Sequence, residues 1–572
     1  MLRRRQYGPF LALIAILGTS LYLLKSPPLR RPPIDTPPPQ LEQPISPSTS
    51  SSHPIHQLIT KAEEDHAAIV NKQSTTLQQA VQEYRRRYQL PPPPNFDKWY
   101  EFAKARDVVL IDEYDTIYHS LLPFWGIPAS VIRRRAIEAL GFDNALLGVQ
   151  IRGGRVVTAA GGPEWQQKAT VDMMGGFIEY LPAMDLPFNV HDEPRVVVPH
   201  DDLSRLVGIA KNEVIPKISS AKGLTNAFSE PPPELGDALR PYEVETTRFN
   251  RYAHQATWTE SRMSCSPAAP ARALDESIND DGSTFAFSQF GFIMNTTAFS
   301  DICLSPSLKE SYGFFDRPNA FNIVHDLFPI FSQSKISSYQ DILYPSPWYW
   351  ADKVPYDEST DFPWEQKRDL FYWRGSTTGG FSRNGGWRRQ HRQKFVERIN
   401  GLDNTKVMVN PTASGGGTDW TIKEVPRPEY KSLMDIHFAH VGQCDPGDCD
   451  AQREFFEIVK PDKQHEAWSY KYLLDIDGNA FSGRFYAFLK SMSLVYKMAV
   501  FREWHEEWLK PWVHYVPLGL RGDEYVESVR YFHEEEDGKV QGPRMAIQGR
   551  EWAGKVLRKE DLEVWLFRLL LE

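Results

Sequence analysis

Three short segments carry residue types that could work on one ligand. In the first, an apolar run stops at Asp475-Ile476-Asp477-Gly478, and a small-residue turn, Ser482-Gly483-Arg484, leads through Phe485 into a helix-like stretch and a second apolar run, Ser493–Val500. Ligands of α/β sheets bind in such turns, at the carboxyl ends of strands. In the second, Tyr372-Trp373-Arg374-Gly375-Ser376, Arg374 ends a hydrophobic strand, Gly375 permits close backbone approach, and the loop to Gly380 offers free N–H groups. A loop of this kind opening a helix favours phosphate, and an arginine such as Arg374 or Arg383 can hold phosphate through two hydrogen bonds. Glycines that only make a loop flexible are the plainer reading. Together the two turns point to a nucleoside diphosphate. The third segment is Phe188-Asn189-Val190-His191-Asp192-Glu193-Pro194-Arg195. Asp192 could deprotonate an acceptor hydroxyl there; a capped surface turn would give the same residues.

Metal chemistry is a further possibility. Asp475-x-Asp477 has the D-x-D form that holds Mg²⁺ or Mn²⁺ between phosphates. Asp448-x-Asp450 has the same form. Side chains at i and i+2 of a strand share a face, so a structural carboxylate pair also explains the spacing. Trp373, Trp387 and Trp468 could stack on sugar or base, or belong to the core; His505 and His514 read as structural.

The elements that must position these groups follow from pattern. The chain has 572 residues, long enough for two domains with extensions, and its net charge of −9 argues against a general nucleic-acid binder. Basic residues cluster locally instead, at Arg374, Arg383, Arg388, Arg389, Arg392, Lys394 and Arg398, as a small anionic ligand or a solvated helix face would require. Arg3-Arg4-Arg5 precede an uncharged apolar run, 8–24, which would span roughly 25 Å as a helix. An uncleaved signal-anchor is expected, with a cytoplasmic tail at 1–7 and the rest of the chain in the secretory lumen. A stem is expected at 25–94, Pro/Ser-rich to about 54 and helical over 55–88. Two doubly wound α/β domains with a cleft between them are expected at 95–365, with an irregular insert, and at 366–572. Within them, Val108–Ile111 and Arg195–Pro199 read as strands, Ser130–Leu140 and Asp202–Val214 as helices, and Trp552–Leu571 as an amphipathic C-terminal helix. The four cysteines suit an oxidising compartment; the short CDPGDC loop favours Cys444–Cys449, leaving Cys265 with Cys303. Asn295-Thr296-Thr297 is a glycosylation acceptor if luminal.

Taken together, YWRGSTTGGFSRNGGWRRQHR, KYLLDIDGNAFSGRF with SLVYK, PWVHYVPL, LPFNVHDEPRVVVPHDD and SQSKISSYQDILYPSPWYW resemble glycosyltransferase family 90, the capsule-associated and protein O-glucosyltransferase-like enzymes, and most of all its fungal membrane-anchored branch. The resemblance covers roughly residues 95–560. It implies a GT-B fold of two Rossmann-like domains, a UDP-sugar donor carrying glucose or xylose, inversion at the anomeric carbon, and no required metal or other cofactor. It places the catalytic base at Asp192. It places donor contacts at Arg374, Gly375, Ser376 and Arg383, and at Asp477, Gly478, Ser482, Gly483, Arg484 and Phe485. Animal relatives often carry an arginine near the position of Asp477, where this chain has an acid. The expected acceptor is a glycan or glycolipid, with β-1,2-xylosyl transfer as one form and protein O-glucosylation or non-catalytic sugar binding as alternatives. The expected setting is the Golgi membrane, single-pass type II, with a luminal catalytic part.

Overall fold

Two five-stranded sheets organise the residues described by the computed structural model, which are 52–220, 227–232, 242–252, 254–273, 280–410 and 420–572. All of them lie within one compact unit, Pro44–Glu572. The expected tail and anchor, and the stem as far as residue 51, lie outside the described residues. Among the described residues no helix is long and apolar enough to cross a membrane.

The first sheet has the order β2-β1-β3-β4-β5, with β1 at Leu146–Arg152, β2 at Arg155–Ala160, β3 at Met184–Asn189, β4 at Phe331–Ser332 and β5 at Ile342–Leu343. It is mixed rather than parallel throughout. β1 pairs antiparallel with β2 and β3, while β3, β4 and β5 run parallel. The difference originates in Gly153-Gly154, both at positive φ, which close a two-residue hairpin with Arg152 opposite Arg155. Arg195–Pro199, expected as a strand, makes only a bridge from Val196 to Val324. Val108–Ile111 is no strand either; the Ile111 and Asp112 amides donate to Gln73 Oε1 at 2.8 and 2.9 Å, not to a ladder.

The second sheet is parallel throughout. Its strands are β6 Arg368–Ser376, β7 Met434–His440, β8 Tyr470–Ile476, β9 Leu494–Met498 and β10 Val516–Pro517, in the order β7-β6-β8-β9-β10. Parallel strands covered on both faces need apolar side chains on both. Accordingly Tyr372, Leu473 and Val495 enter one core cluster, and Phe371, Trp373, Leu474 and Tyr496 enter the other. In this order the connections reverse direction between β6 and β8, which makes the crevice beyond those two strand ends the natural ligand position. The arginine-glycine loop and the Asp477–Arg484 turn both emerge there.

The helical pattern of 55–88 resolves into α1, Pro54–Asn71, and α2, Leu77–Tyr88. Thr76 and Gln79 form a capping box that starts the second helix. Both helices belong to the folded body: Ile55, Leu58 and Ile59 of α1 join the core of the second sheet. The C-terminal pattern likewise divides, into Glu536–Val556 and Lys559–Leu571, with an Arg558–Asp561 capping box at the break. The last helix packs back on the first half, where Trp99 Nε1 donates to Val564 O at 3.1 Å. Disulfides join Cys265 to Cys303 and Cys444 to Cys449.

Candidate active site

The turn after β3 is built around Asn189. Its Oδ1 accepts from the His191 amide at 3.0 Å and from Arg195 Nε at 2.5 Å, and its Nδ2 donates to Glu193 O at 2.7 Å and Ser332 Oγ at 3.1 Å. The Arg195 and Val196 amides donate to the buried Asp341 carboxylate. A turn held at so many points presents its remaining side chain in one direction. That side chain is Asp192. Its residue is open to solvent, yet protein packs densely around the carboxyl, as at the floor of a cleft. The crowding pushes its pKa up from the ordinary aspartate range. Its neighbour Glu193 is shut off from solvent, accepts from the Ala320 amide at 3.0 Å, and is pushed up to about 8 by burial and then by Asp192. Burial pushes His191 down to about 4.

These shifts set a pH dependence of stability. Buried Glu193 and Glu524, raised to about 8 and about 7, keep protons that the unfolded chain has released above about 4.5. The native state then binds more protons, so stability falls as pH rises through that window. Histidines lowered from 6.5, such as His191 and the fully enclosed His391 and His514, act in the opposite sense, but only below 6.5. Above 6.5 the glutamates act against no such opposition. The melting temperature should therefore fall between pH 6.5 and 8 in a thermal scan. A rise over that interval would contradict the burial of these carboxyls.

Two routes of contact join the Asp192 turn to the second sheet. On one side is α3, Glu164–Asp172. Gln166 Nε2 donates to Asn189 O at 3.2 Å, and Trp165 meets Trp348 edge to face at 6.0 Å. Trp348 belongs to a short helix, α4, Pro347–Trp350. Its Nε1 donates to Gly483 O at 3.3 Å, and Tyr349 donates to Ser482 O at 3.1 Å. A Cβ on Gly483 would come within 2.3 Å of the Trp348 ring, so only glycine fits. On the other side, the segment holding Ala320 receives the Phe381 amide at Arg317 O, 2.6 Å away. The Asp192 turn is thus tied to the Ser482-Gly483 turn on one side and to the glycine-rich loop at Phe381 on the other.

At the strand ends the charge is cationic. Helix α5, His391–Ile399, delivers Arg392 between β6 and β8. Its guanidinium donates to Asp477 O at 2.8 Å, Ser376 O and Ile476 O at 3.1 Å, and Thr378 Oγ1 at 2.8 Å. Arg484 comes from the opposite side and donates to Arg374 O at 2.6 Å. Both guanidiniums lie by the Trp373 ring, 5.6 and 6.0 Å from its centre. Burial and then the charge of Arg484 push Arg392 down to about 9, and burial lowers Arg484 as well. Arg484 makes no ion pair with a carboxylate among the described residues, so most of its donors are uncommitted. Two like charges held this close in a partly desolvated site favour an anion between them. The Gly379 amide, donating to Asn479 Oδ1 at 3.3 Å, and the positive-φ Gly379-Gly380 pair complete the loop wall.

Other candidates fall elsewhere. The Arg374 fork is taken by Asp435 at 2.6 Å and Asp462 at 3.1 Å, so this arginine orients Arg484 through its carbonyl and does not present its own side chain. Alternation along β6 explains it, since Trp373 and Arg374 take opposite faces. Arg383 forms a surface pair with Asp445 at 2.7 Å. Asp477 is 0% exposed; its Oδ2 accepts from Tyr312 and from the amides of Val500 and Phe501, and burial pushes it up to about 6. Asp475 accepts from Lys497 at 3.1 Å. This D-x-D pair faces the core, not the cleft. Phe485, Trp373, Trp387 and Trp468 are core residues. Gly375, Ser376, Gly478, Ser482 and Gly483 shape the crevice through their backbone. Asn295 caps the short helix Thr296–Phe299 through Oδ1. In the sequence Arg392 is only one of a basic cluster, and no pattern marks Trp165, Trp348 or His391 for a role. The i, i+4 spacing of Arg388 and Arg392 with apolar Phe395, Val396 and Ile399 was the available signal that one of the two faces inward.

The fold is mixed α/β, with a parallel sheet whose strand ends carry the cationic crevice, and sequence comparison points to glycosyltransferases. The profile described as Glycosyl transferase family 90 matches residues 316–572, so this part of the chain is similar to that family. The chain is 26% identical to O-glucosyltransferase rumi of Drosophila melanogaster over 264 residues, which is 42% of this chain and 53% of the fly protein. It is 38% identical to the rumi homolog of Aedes aegypti over 106 residues, 18% of this chain and 25% of the other. It is 23% identical to Protein O-glucosyltransferase 1 of Rattus norvegicus over 289 residues, 47% of this chain and 62% of the rat protein. The matches to the fly and rat proteins thus span roughly half to three fifths of those curated relatives.

Proposed function

We propose that the chain is an inverting glycosyltransferase with a GT-B-type cleft, moving glucose or xylose from a UDP-sugar to a hydroxyl of a glycan. The carrying observation is the Arg392–Arg484 pair at the switch point of the parallel sheet, linked through Trp348 and Trp165 to the turn that carries Asp192. The acceptor oxygen attacks the anomeric carbon from the face opposite the diphosphate. The new C–O bond forms as the bond to the UDP oxygen breaks, and Asp192 takes the hydroxyl proton. Charge growing on the departing diphosphate meets Arg484 and the loop amides, fixed in place before the reaction.

A second reading, glucose transfer to a protein hydroxyl, is favoured by the names of the relatives, O-glucosyltransferase rumi and Protein O-glucosyltransferase 1. The two disulfides suit the secretory lumen, and with the apolar segment 8–24 they support a single-pass, type II Golgi enzyme. The scheme uses no metal or other cofactor; Asp475 Oδ2 accepts from Lys497, and Asp477 Oδ2 from Tyr312 and a backbone amide.

The experiment is a panel of UDP-sugars given to the detergent-solubilised full chain with mannose-containing glycans or folded protein domains, reading released UDP. Turnover is expected with UDP-glucose or UDP-xylose and should survive EDTA. Loss of turnover in EDTA with recovery in Mn²⁺ would restore the D-x-D pair to a metal role. UDP binding without turnover on any donor would leave a sugar-nucleotide-binding protein with no transferase activity.

A further inference from the structure

The Cys444–Cys449 loop is locked onto the glycine-rich loop that follows β6. Helix α6, Pro446–Phe455, opens inside the disulfide and carries Asp448 in its first turn. The Asp448 carboxylate accepts from Ser382 Oγ at 2.6 Å and from the Gly385 amide, with its two oxygens 3.1 and 3.0 Å away. Ser382 is 1% exposed and is gripped along its backbone too. Its amide donates to Gln443 O at 2.8 Å, its carbonyl accepts from the Asp445 amide at 2.9 Å, and its Oγ accepts from the Trp387 amide at 2.8 Å. The bonds to Gln443 and Asp445 flank Cys444 directly. One turn further along α6, Gln452 reaches Gln393, which donates to Thr377 O at 3.0 Å. The segment 377–385 is therefore held at both ends by residues in or beside the disulfide loop.

That segment is the wall of the donor crevice. It also contains residues that cannot hold their shape alone: Gly379, Gly380, Asn384 and Gly385 all have positive φ, where glycine-rich backbone has the most freedom to lose. We propose that Asp448 is a positioning residue for the donor loop, and that the Cys444–Cys449 bridge keeps it in place, so that the crevice is assembled only in the disulfide-closed chain. The proposal rests on the donor reading above. It deepens it by adding a group that touches no substrate yet sets the geometry of the loop that does. A closed ring of this size fixes the approach angle of the first turn of α6, and without it Asp448 would have to find Ser382 and Gly385 from a mobile loop.

The test uses the full chain in detergent, wild type, Asp448→Asn, Asp448→Glu and the double variant Cys444→Ser/Cys449→Ser. Hydrogen exchange of the amides 377–385 gives a readout independent of any ligand. UDP titration and donor kinetics give the second. Asp448→Asn and the cysteine variant should exchange those amides faster, bind UDP about tenfold more weakly, and raise donor KM with kcat changed much less; Asp448→Glu should recover part of the affinity. Unchanged exchange in both variants, or UDP affinity equal to wild type despite faster exchange, would overturn the proposal. Faster exchange in the variants beside a wild-type chain that binds no UDP would uphold the clasp and overturn the donor reading.

Discussion

Asp192→Asn should lower the transfer rate about 10²–10⁴-fold, the usual contribution of a general base, while UDP affinity stays close to wild type. The expectation comes from how the turn is made. Asn189, Arg195 and Asp341 hold the backbone through bonds that never involve the Asp192 side chain. Exchanging its carboxylate for an amide of the same shape removes the proton acceptor and leaves the support intact. Glu193 cannot substitute, because it is buried, bonded to the Ala320 amide and protonated near neutrality. The same crowding that raises the Asp192 pKa makes the wild-type rate fall on the acid side at a higher pH than an exposed aspartate would give. Steady-state kinetics with a UDP-release readout, beside a UDP titration, decides it. An asparagine variant that transfers at the wild-type rate would remove Asp192 from the chemistry.

The strand-turn-helix architecture of the second half was legible because parallel strands demand nearly continuous apolar runs, and FYW, YLLDI and SLVYKM supply them. The crevice between β6 and β8 followed from the same pattern. What the sequence could not reveal was direction. Arg374 and Arg484 look equivalent in a motif, but strand alternation sends the first toward Asp435 and Asp462, while the second, at the start of a helix, bonds only to Arg374 O. Asp477 looks like a ligand residue, yet contacts distant in sequence, Tyr312 and the amides of Val500 and Phe501, claim it. In the first half, Gly153-Gly154 carried a hairpin signal that turned an expected parallel sheet into a mixed one. Val108–Ile111 is apolar enough for a strand, but the Gln73 side chain satisfies its end and no neighbour offers a ladder. The Trp165–Trp348–Gly483 link lay beyond reach because its strength depends on three segments meeting, and none of them has a local pattern that requires it.

Arg484→Ala should cost about 10²–10³ in kcat/KM, the scale of losing one preorganised charge at a departing anion, and should weaken UDP binding as well. The contrast with Arg392 is the reason to choose it. Arg392 makes four bonds to the backbone and a hydroxyl at the strand ends, so removing it would loosen the ends of β6 and β8, and a loss of activity there would be ambiguous. Arg484 makes one bond, to Arg374 O, and shares the Trp373 ring with its neighbour. Its removal leaves that carbonyl to water and relieves the repulsion on Arg392, so the fold should tolerate it and the melting temperature should hold or rise. Lysine at this position restores the charge without the fork, and should recover binding better than rate if the second hydrogen bond matters most as the diphosphate departs. An alanine variant of unchanged stability that binds UDP and turns over as the wild type does would mean that the anion lies elsewhere, and that the paired guanidiniums serve only to pack the end of β6.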